Sequence, residues 1–146
     1  MGLFGPKRGT VKPGDRSEAI IIARMTEAGY IVLRPVSGQH RYDLVIEDAD
    51  GQFWRIQCKT GWLDYGDTVI RFNVSSSSHH YTRGKTDQRR HAYHGQIEFF
   101  AVYCPELNKV YMIPIDHAGK SNMQLRLVPT GNKQEKNVKW AKDYEI

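Results

Sequence analysis

The stretch from Arg41 to Trp62, RYDLVIEDADGQFWRIQCKTGW, constrains the chain more than any other. Tyr42-Asp43-Leu44-Val45-Ile46 and Phe53-Trp54-Arg55-Ile56-Gln57-Cys58-Lys59 are rich in β-branched and aromatic residues. Between them Asp48-Ala49-Asp50-Gly51 carries hairpin turn chemistry, so two antiparallel strands are expected. Side chains alternate across a strand, which places Arg55, Gln57 and Lys59 on one face and Trp54, Ile56 and Cys58 on the other. Asp43, pointing to the polar side, would meet Gln57 and Lys59 across the ladder. A carboxylate, an amide oxygen and an ammonium would then share one small area; the plain alternative is a polar strand facing solvent.

At 146 residues the chain is long enough for one domain with a real core and too short for two. The formal net charge of +5 favours a polyanionic partner without naming it. No apolar run reaches membrane-spanning length, and Met1-Gly2-Leu3-Phe4-Gly5-Pro6-Lys7-Arg8 lacks the apolar core of a secretion signal, so a soluble, cytoplasmic protein with no membrane partner is expected. Cys58 and Cys104 fall inside expected strands and read as buried free thiols rather than a disulfide or zinc site.

In chain order, residues 1–14 hold four glycines, two prolines, Lys7, Arg8 and Lys12. They read as a flexible basic arm that either touches a phosphate backbone or has no role. From Asp15 to Gly29 the pattern is helical, with Ile22, Met25 and Gly29 continuing the face begun by Glu18 and Gly29 as a C-terminal stop. Asp15-Arg16-Ser17-Glu18 fits a capping box in which Glu18 reaches back to its own helix start. The other reading delivers the Glu18 carboxylate to the face of Asp43, Gln57 and Lys59. Tyr30 to Pro35 reads as a buried apolar strand. Val36 to His40 reads as a loop in which Ser37 and His40 are turn residues or complete a site beside Asp43.

After the hairpin, Asp67 to Val74 reads as a strand broken by Ser75-Ser76-Ser77-Ser78. The segment from Ser75 to Gly95 carries Arg83, Lys85, Arg89 and Arg90, interleaved with His79, His80, Tyr81, His91, Tyr93 and His94. It is expected to be a surface loop, either solvated or contacting DNA through phosphates and stacking; zinc at His91 and His94 has no converging Cys or acid in its favour. Residues 97–103 and 109–114 form a second expected hairpin around Pro105-Glu106-Leu107-Asn108, with Glu98 as its polar alternate. Gln124 to Val128 reads as a short edge strand. The tail, with Trp140 and Tyr144 as anchors, is expected to dock as a short helix or coil.

An acid on one strand and an acid-or-amide, any residue, lysine on the next, here Asp43 followed by Gln57-Cys58-Lys59, resembles the skeleton of the PD-(D/E)XK nucleases. Joined to a helix bearing Glu18 and to the run Gly29-Tyr30 through Pro35, Ser37 and Tyr42-Asp43, it is similar to archaeal-type Holliday-junction resolvases. It also resembles the PD-(D/E)XK endonucleases associated with group I introns. That second resemblance extends through Gly95–Pro105, Lys109–Pro114, Asn132–Lys136 and Trp140–Glu145, and together the two cover residues 15 to 146.

The resemblance implies an α/β, restriction-endonuclease-like fold, with a central mixed sheet flanked by helices in a single domain over 15–146. It implies metal-assisted hydrolysis of DNA. Asp43 and Gln57 would hold Mg²⁺, with Mn²⁺ able to substitute, and Glu18 would act through metal or water. Lys59 would position the nucleophile or stabilise the phosphate, and Ser37 is a possible accessory. Lys7, Arg8, Lys12, Arg83, Lys85, Arg89 and Arg90 would contact DNA. Gln57 departs from the acid of the pattern and implies weaker charge at the metal. Cutting both strands implies a homodimer or a dimer of dimers. Resolution of branched DNA is the expected activity; cleavage of a specific duplex site in intron homing, or a DNA-binding module whose catalytic centre has decayed, are the alternatives.

Overall fold

The computed structural model describes residues 11–38, 40–82 and 85–146, with Leu3, Gly5 and Gly9; for residues 77–82 and 85–91 it describes the backbone alone. One helix, α1 (Pro13–Glu27), precedes the strands β1 (Ile31–Leu33), β2 (Leu44–Glu47), β3 (Phe53–Thr60), β4 (Trp62–Asp64) and β5 (Val69–Asn73). There follow β6 (Ser75–Thr82), β7 (Lys85–Ala92), β8 (Phe99–Cys104), β9 (Lys109–Pro114) and β10 (Asn122–Arg126). Short 3-10 turns lie at Ile115–His117 and Ala141–Asp143.

The helix starts two residues before the expected Asp15. Pro13 takes its first turn, where a fixed φ and a missing N–H cost nothing, and Lys12 stands at the N-cap without a side-chain cap bond. Glu18 therefore lies in the second turn, and the expected capping box is not formed. The buried stripe is Ser17, Ile21 and Met25: of the expected Glu18, Ile22, Met25 and Gly29 face, Met25 is buried as expected, while Ser17 and Ile21 take the places of Glu18 and Ile22. Gly29, at φ +94°, does end the helix, its N–H bonded to the Thr26 carbonyl.

The central sheet runs β1-β2-β3-β8-β9. Its neighbours pair antiparallel except β3 and β8, which run parallel with Gln57 beside Phe100 and Lys59 beside Val102. A parallel pair needs a crossover, and the chain uses β4 to β7 for it instead of a helix. From that crossover β4 and β5 join β10, which follows β9, in a second sheet ordered β10-β5-β4.

Two cores result, one on each side of the central sheet. Ile21 and Met25 of α1 pack on Leu44, Ile46, Ile56, Ala101, Tyr103 and Val110. On the other side Ile70, Phe72, Met123 and Leu125 of the second sheet meet Phe100, Val102, Tyr111 and Ile113. Gly61 is where β3 leaves one sheet for the other. A Cβ there would come within 2.9 Å of Val102 Cγ1 and 3.0 Å of Ile70 Cγ2, so the two sheets approach as closely as they do because the residue is glycine.

The expected buried strand at Tyr30 to Pro35 is shorter and more open than that. It is the edge strand β1, paired on one side only, with Ile31 and Leu33 exposed and Val32 alone turned toward the core. The expected loop from Ser75 to Gly95 is also corrected: β6 and β7 pair antiparallel from Ser75↔Ala92 to Thr82↔Lys85 as a sheet of their own. The second hairpin is present as β8–β9, its first strand beginning at Phe99, and the short edge strand is present as β10, two residues earlier than the expected Gln124 to Val128. The tail docks through a 3-10 turn, with the Met112 N–H bonded to the Tyr144 carbonyl and the Ile146 N–H to the Val110 carbonyl. Cys58 and Cys104 are both free thiols, Cys104 buried and Cys58 partly so.

Candidate active site

The β2–β3 turn is built by Asp48. Its carboxylate accepts from the Asp50 and Gln52 N–H groups and from Trp54 Nε1, at 2.9, 3.0 and 2.8 Å, while Gly51 takes φ +76°. That turn sets the register Leu44↔Ile56, and one step further places Asp43 opposite Gln57. The Asp43 N–H donates to the Ile56 carbonyl at 2.8 Å, and its Oδ2 accepts from the Cys58 N–H at 2.8 Å. The residue is thus pinned to the motif strand twice, by its main-chain N–H and by its carboxylate.

Burial pushes the Asp43 carboxyl above its ordinary value. The Cys58 N–H opposes this, the Glu18 carboxylate adds to it, and Lys59 and Arg34 work against it more weakly. Burial, with Asp43 and Glu18 close by, also pushes the Cys58 thiol well up, so it is a neutral neighbour and not a nucleophile.

Glu18 reaches this place because Ser17, 2 % exposed, is bonded through its hydroxyl to Thr60 Oγ1 at 2.6 Å, tying α1 to the end of β3. Arg34, just past β1, donates from Nη2 to Glu18 Oε1 at 2.8 Å. Glu18, Arg34, Ser37, Tyr42 and Asp43 line one cavity of about 220 Å³. Ser37 is bonded through its hydroxyl to His40 Nε2 at 2.8 Å, and His40 stacks on Tyr42. Gln57, next to Asp43 in the ladder, and Lys59 are on β3 and are not among the residues that line that cavity. The Lys59 ammonium is 3.4 Å from both the Ser75 carbonyl and the Tyr93 hydroxyl.

Glu98, which was a polar alternate by sequence, is occupied elsewhere. It holds Arg55 through Nη2 at 2.6 Å and Nε at 3.0 Å, and accepts the Arg55 N–H at 2.6 Å. Of the expected DNA-contacting residues, Lys12 is exposed at the start of α1. Lys7, Arg8 and Arg83 lie outside the described residues. Lys85, Arg89 and Arg90 sit on β7, opposite Thr82, Ser78 and Ser77. Tyr93, expected to be a stacking residue on a loop, is 3 % exposed and packs edge-to-face on Phe100. Sequence reasoning passed over Arg34 and Arg41. The available signal was that these two cations bracket the loop leading to Asp43.

Among the described residues no three His, Cys or acidic side chains converge on one point. A cation here would rest on the two carboxylates of Asp43 and Glu18 with the Gln57 carbonyl oxygen. That all-oxygen set suits a hard divalent ion that keeps several waters. The half-buried Asp43, raised by burial and by Glu18, is the group such an ion would relieve.

A family model described as PD-(D/E)XK endonuclease matches residues 9–146. The solved structure of a bacterial homing endonuclease, I-Ssp6803I, is similar with a TM-score of 0.65 and 25% sequence identity, over 94% of this chain and 89% of that one. No curated protein matches. Among the described residues no helix is long and apolar enough to cross a membrane.

Proposed function

The chain belongs to the PD-(D/E)XK endonuclease family, and from that premise we propose that it is a Mg²⁺-dependent enzyme cutting DNA at a specific duplex site, as in homing. Metal-dependent endonuclease activity follows from the family. The assignment of residues and of the duplex substrate is our reading. Asp43, Gln57 and Glu18 hold the metal, with Mn²⁺ able to replace Mg²⁺; Lys59 orients the attacking water or steadies the phosphate. A divalent ion at these oxygens supplies Lewis acidity and a more acidic water. The backbone bonds of Asp43 keep its carboxylate from swinging away, and the Ser17–Thr60 bond keeps Glu18 facing it.

The observation that carries the duplex reading is the β6–β7 ribbon. Its eight-residue strands pair only with each other among the described residues, and the run from Ser75 to Ala92 is basic and rich in histidine. Such a ribbon spans about 25 Å, and the major groove admits a two-stranded ribbon that reads base edges. From the sequence, junction resolution is the expected activity because the first half is resolvase-like, and with Ser75 to Gly95 reading as a loop no base-reading element stands out. The ribbon supplies a candidate, and the similarity to a bacterial homing endonuclease over nearly the whole chain points the same way. Lys7, Arg8, Lys12 and Arg83 would add backbone contacts. Cutting both strands calls for a homodimer or a dimer of dimers.

Incubation of the protein with a randomised duplex library and with a four-way junction of scrambled arms, in Mg²⁺ and in chelator, tests this. Recovery of one cleaved duplex family is expected. Preferential cutting of the junction whatever its arm sequence would restore the resolvase reading, and tight binding without any cutting would mean a decayed nuclease.

A further inference from the structure

We propose that Tyr93 is a positioning residue for Lys59, joining the lysine to the base of the β6–β7 ribbon so that seating the ribbon on DNA governs cleavage as well as affinity. The inference rests on the role given to Lys59 above. Among the described residues the two hydrogen-bond acceptors of the ammonium belong to the ribbon's base. Ser75 opens β6, Tyr93 follows the last residue of β7, and Ser75 is paired with Ala92 beside it. At 3.4 Å each, these bonds are long, so displacements of a few tenths of an ångström at the ribbon's base make or break them. Both acceptors are neutral and leave the lysine's charge available to a phosphate.

The Tyr93 ring is the fixed point of the joint. It is held edge-to-face on Phe100 at 5.6 Å, with the Lys59 ammonium 4.8 Å and the Arg41 guanidinium 3.9 Å from its centroid. Arg41 also donates to the Ser76 hydroxyl, the Ala92 carbonyl and the Gln96 side-chain oxygen. Arg41 lies two residues before Asp43, and Lys59 two residues after Gln57. Both arms of the catalytic hairpin are therefore fastened to the same end of the ribbon. Movement at that end reaches the lysine through one buried ring and one hydroxyl.

The test is single-turnover cleavage in Mg²⁺ of plasmid carrying the duplex sequence recovered from the randomised library, by wild type, Tyr93→Phe, Lys59→Ala and the double variant. Plasmid affinity is measured in chelator, and rates are measured across pH. Tyr93→Phe keeps the ring and its packing and removes the hydroxyl. The expected result is a rate roughly tenfold lower with affinity within about twofold, as for loss of one oriented contact in the reaction step. In the Lys59→Ala background the same change should cost nothing more and leave the pH profile unaltered. Arg41→Gln should likewise slow cleavage by more than it weakens binding. An unchanged rate for Tyr93→Phe, or an equal loss with and without Lys59, overturns the joint while leaving the nuclease site standing. Full activity of Lys59→Ala, or wild-type protein that binds without cutting, overturns the site reading and the joint with it.

Discussion

Arg34 donates from Nη2 to Glu18 Oε1 at 2.8 Å, so a cationic side chain occupies one oxygen of the carboxylate that shares a cavity with Asp43. The arginine is 64% exposed, and exposed pairs of this kind contribute only about 0.2–1 kcal/mol. A metal ion recruiting Glu18 has to displace that partner. Arg34→Ala should therefore tighten Mg²⁺ binding, by up to about fivefold, since 1 kcal/mol is a factor of about five. Calorimetric titration of the DNA-free protein measures this, and weaker Mg²⁺ binding by the variant would mean that Arg34 supports the metal site instead of competing with it.

The Ser17–Thr60 bond should be worth more than its exposure to solvent suggests, because Ser17 is buried and its partner is left unsatisfied when it is removed. Ser17→Ala alone is expected to cost about 1–3 kcal/mol. Combined with Thr60→Val, the total should fall short of the sum of the single changes, since each single variant already breaks the bond. Urea denaturation of the four proteins gives the comparison; strict additivity would show that the two hydroxyls do not depend on each other.

Glu98 gives a pH-dependent prediction. Its carboxyl is held below the ordinary range, first by the hydrogen bonds from Arg55. A depressed folded-state pKa stabilises the fold above the unfolded pKa, and that contribution is lost as pH falls through the folded value. Glu98→Gln should cost on the order of 1 kcal/mol at pH 7, the charge-assisted bond being discounted because its side chain is 31% exposed. The gap to wild type should close as pH drops below about 4, the ordinary range of a glutamate. A gap that stays constant down to acid pH would mean the pair acts through packing alone.

The catalytic hairpin was legible in sequence because everything that makes it is local: turn chemistry at Asp48 to Gly51, alternation with period two, and a register set by the turn. The helix was legible as an element, and its boundary and face were not. Pro13 moved the start, and the stripe came to rest on Ser17 because Thr60, forty-three residues away, offers it a partner. The ribbon escaped notice for a physical reason. Strand signals come from an apolar face alternating with a polar one, and the run of serines, histidines and arginines from Ser75 to His91 has no such face to alternate. β1 read as buried because Ile31, Val32 and Leu33 are all apolar, yet only one side of an edge strand is covered here. The pairing of Arg34 with Glu18 and the stacking of Arg41 on Tyr93 depend on tertiary placement that no spacing in the chain encodes.

Replacement of Asp43 bears on the whole assignment, because its main chain is bonded to the Ile56 carbonyl and its carboxylate is held at the centre of the motif by the Cys58 N–H. The measurement is DNA cleavage and DNA affinity of Asp43→Ala beside wild type, with thermal unfolding of each protein with and without Mg²⁺. The expected result is that the variant folds, binds DNA as wild type does, cuts nothing detectable, and no longer gains stability from Mg²⁺, since ligand-linked stabilisation requires an intact site. Undiminished cleavage by folded Asp43→Ala protein would contradict the assignment of the site.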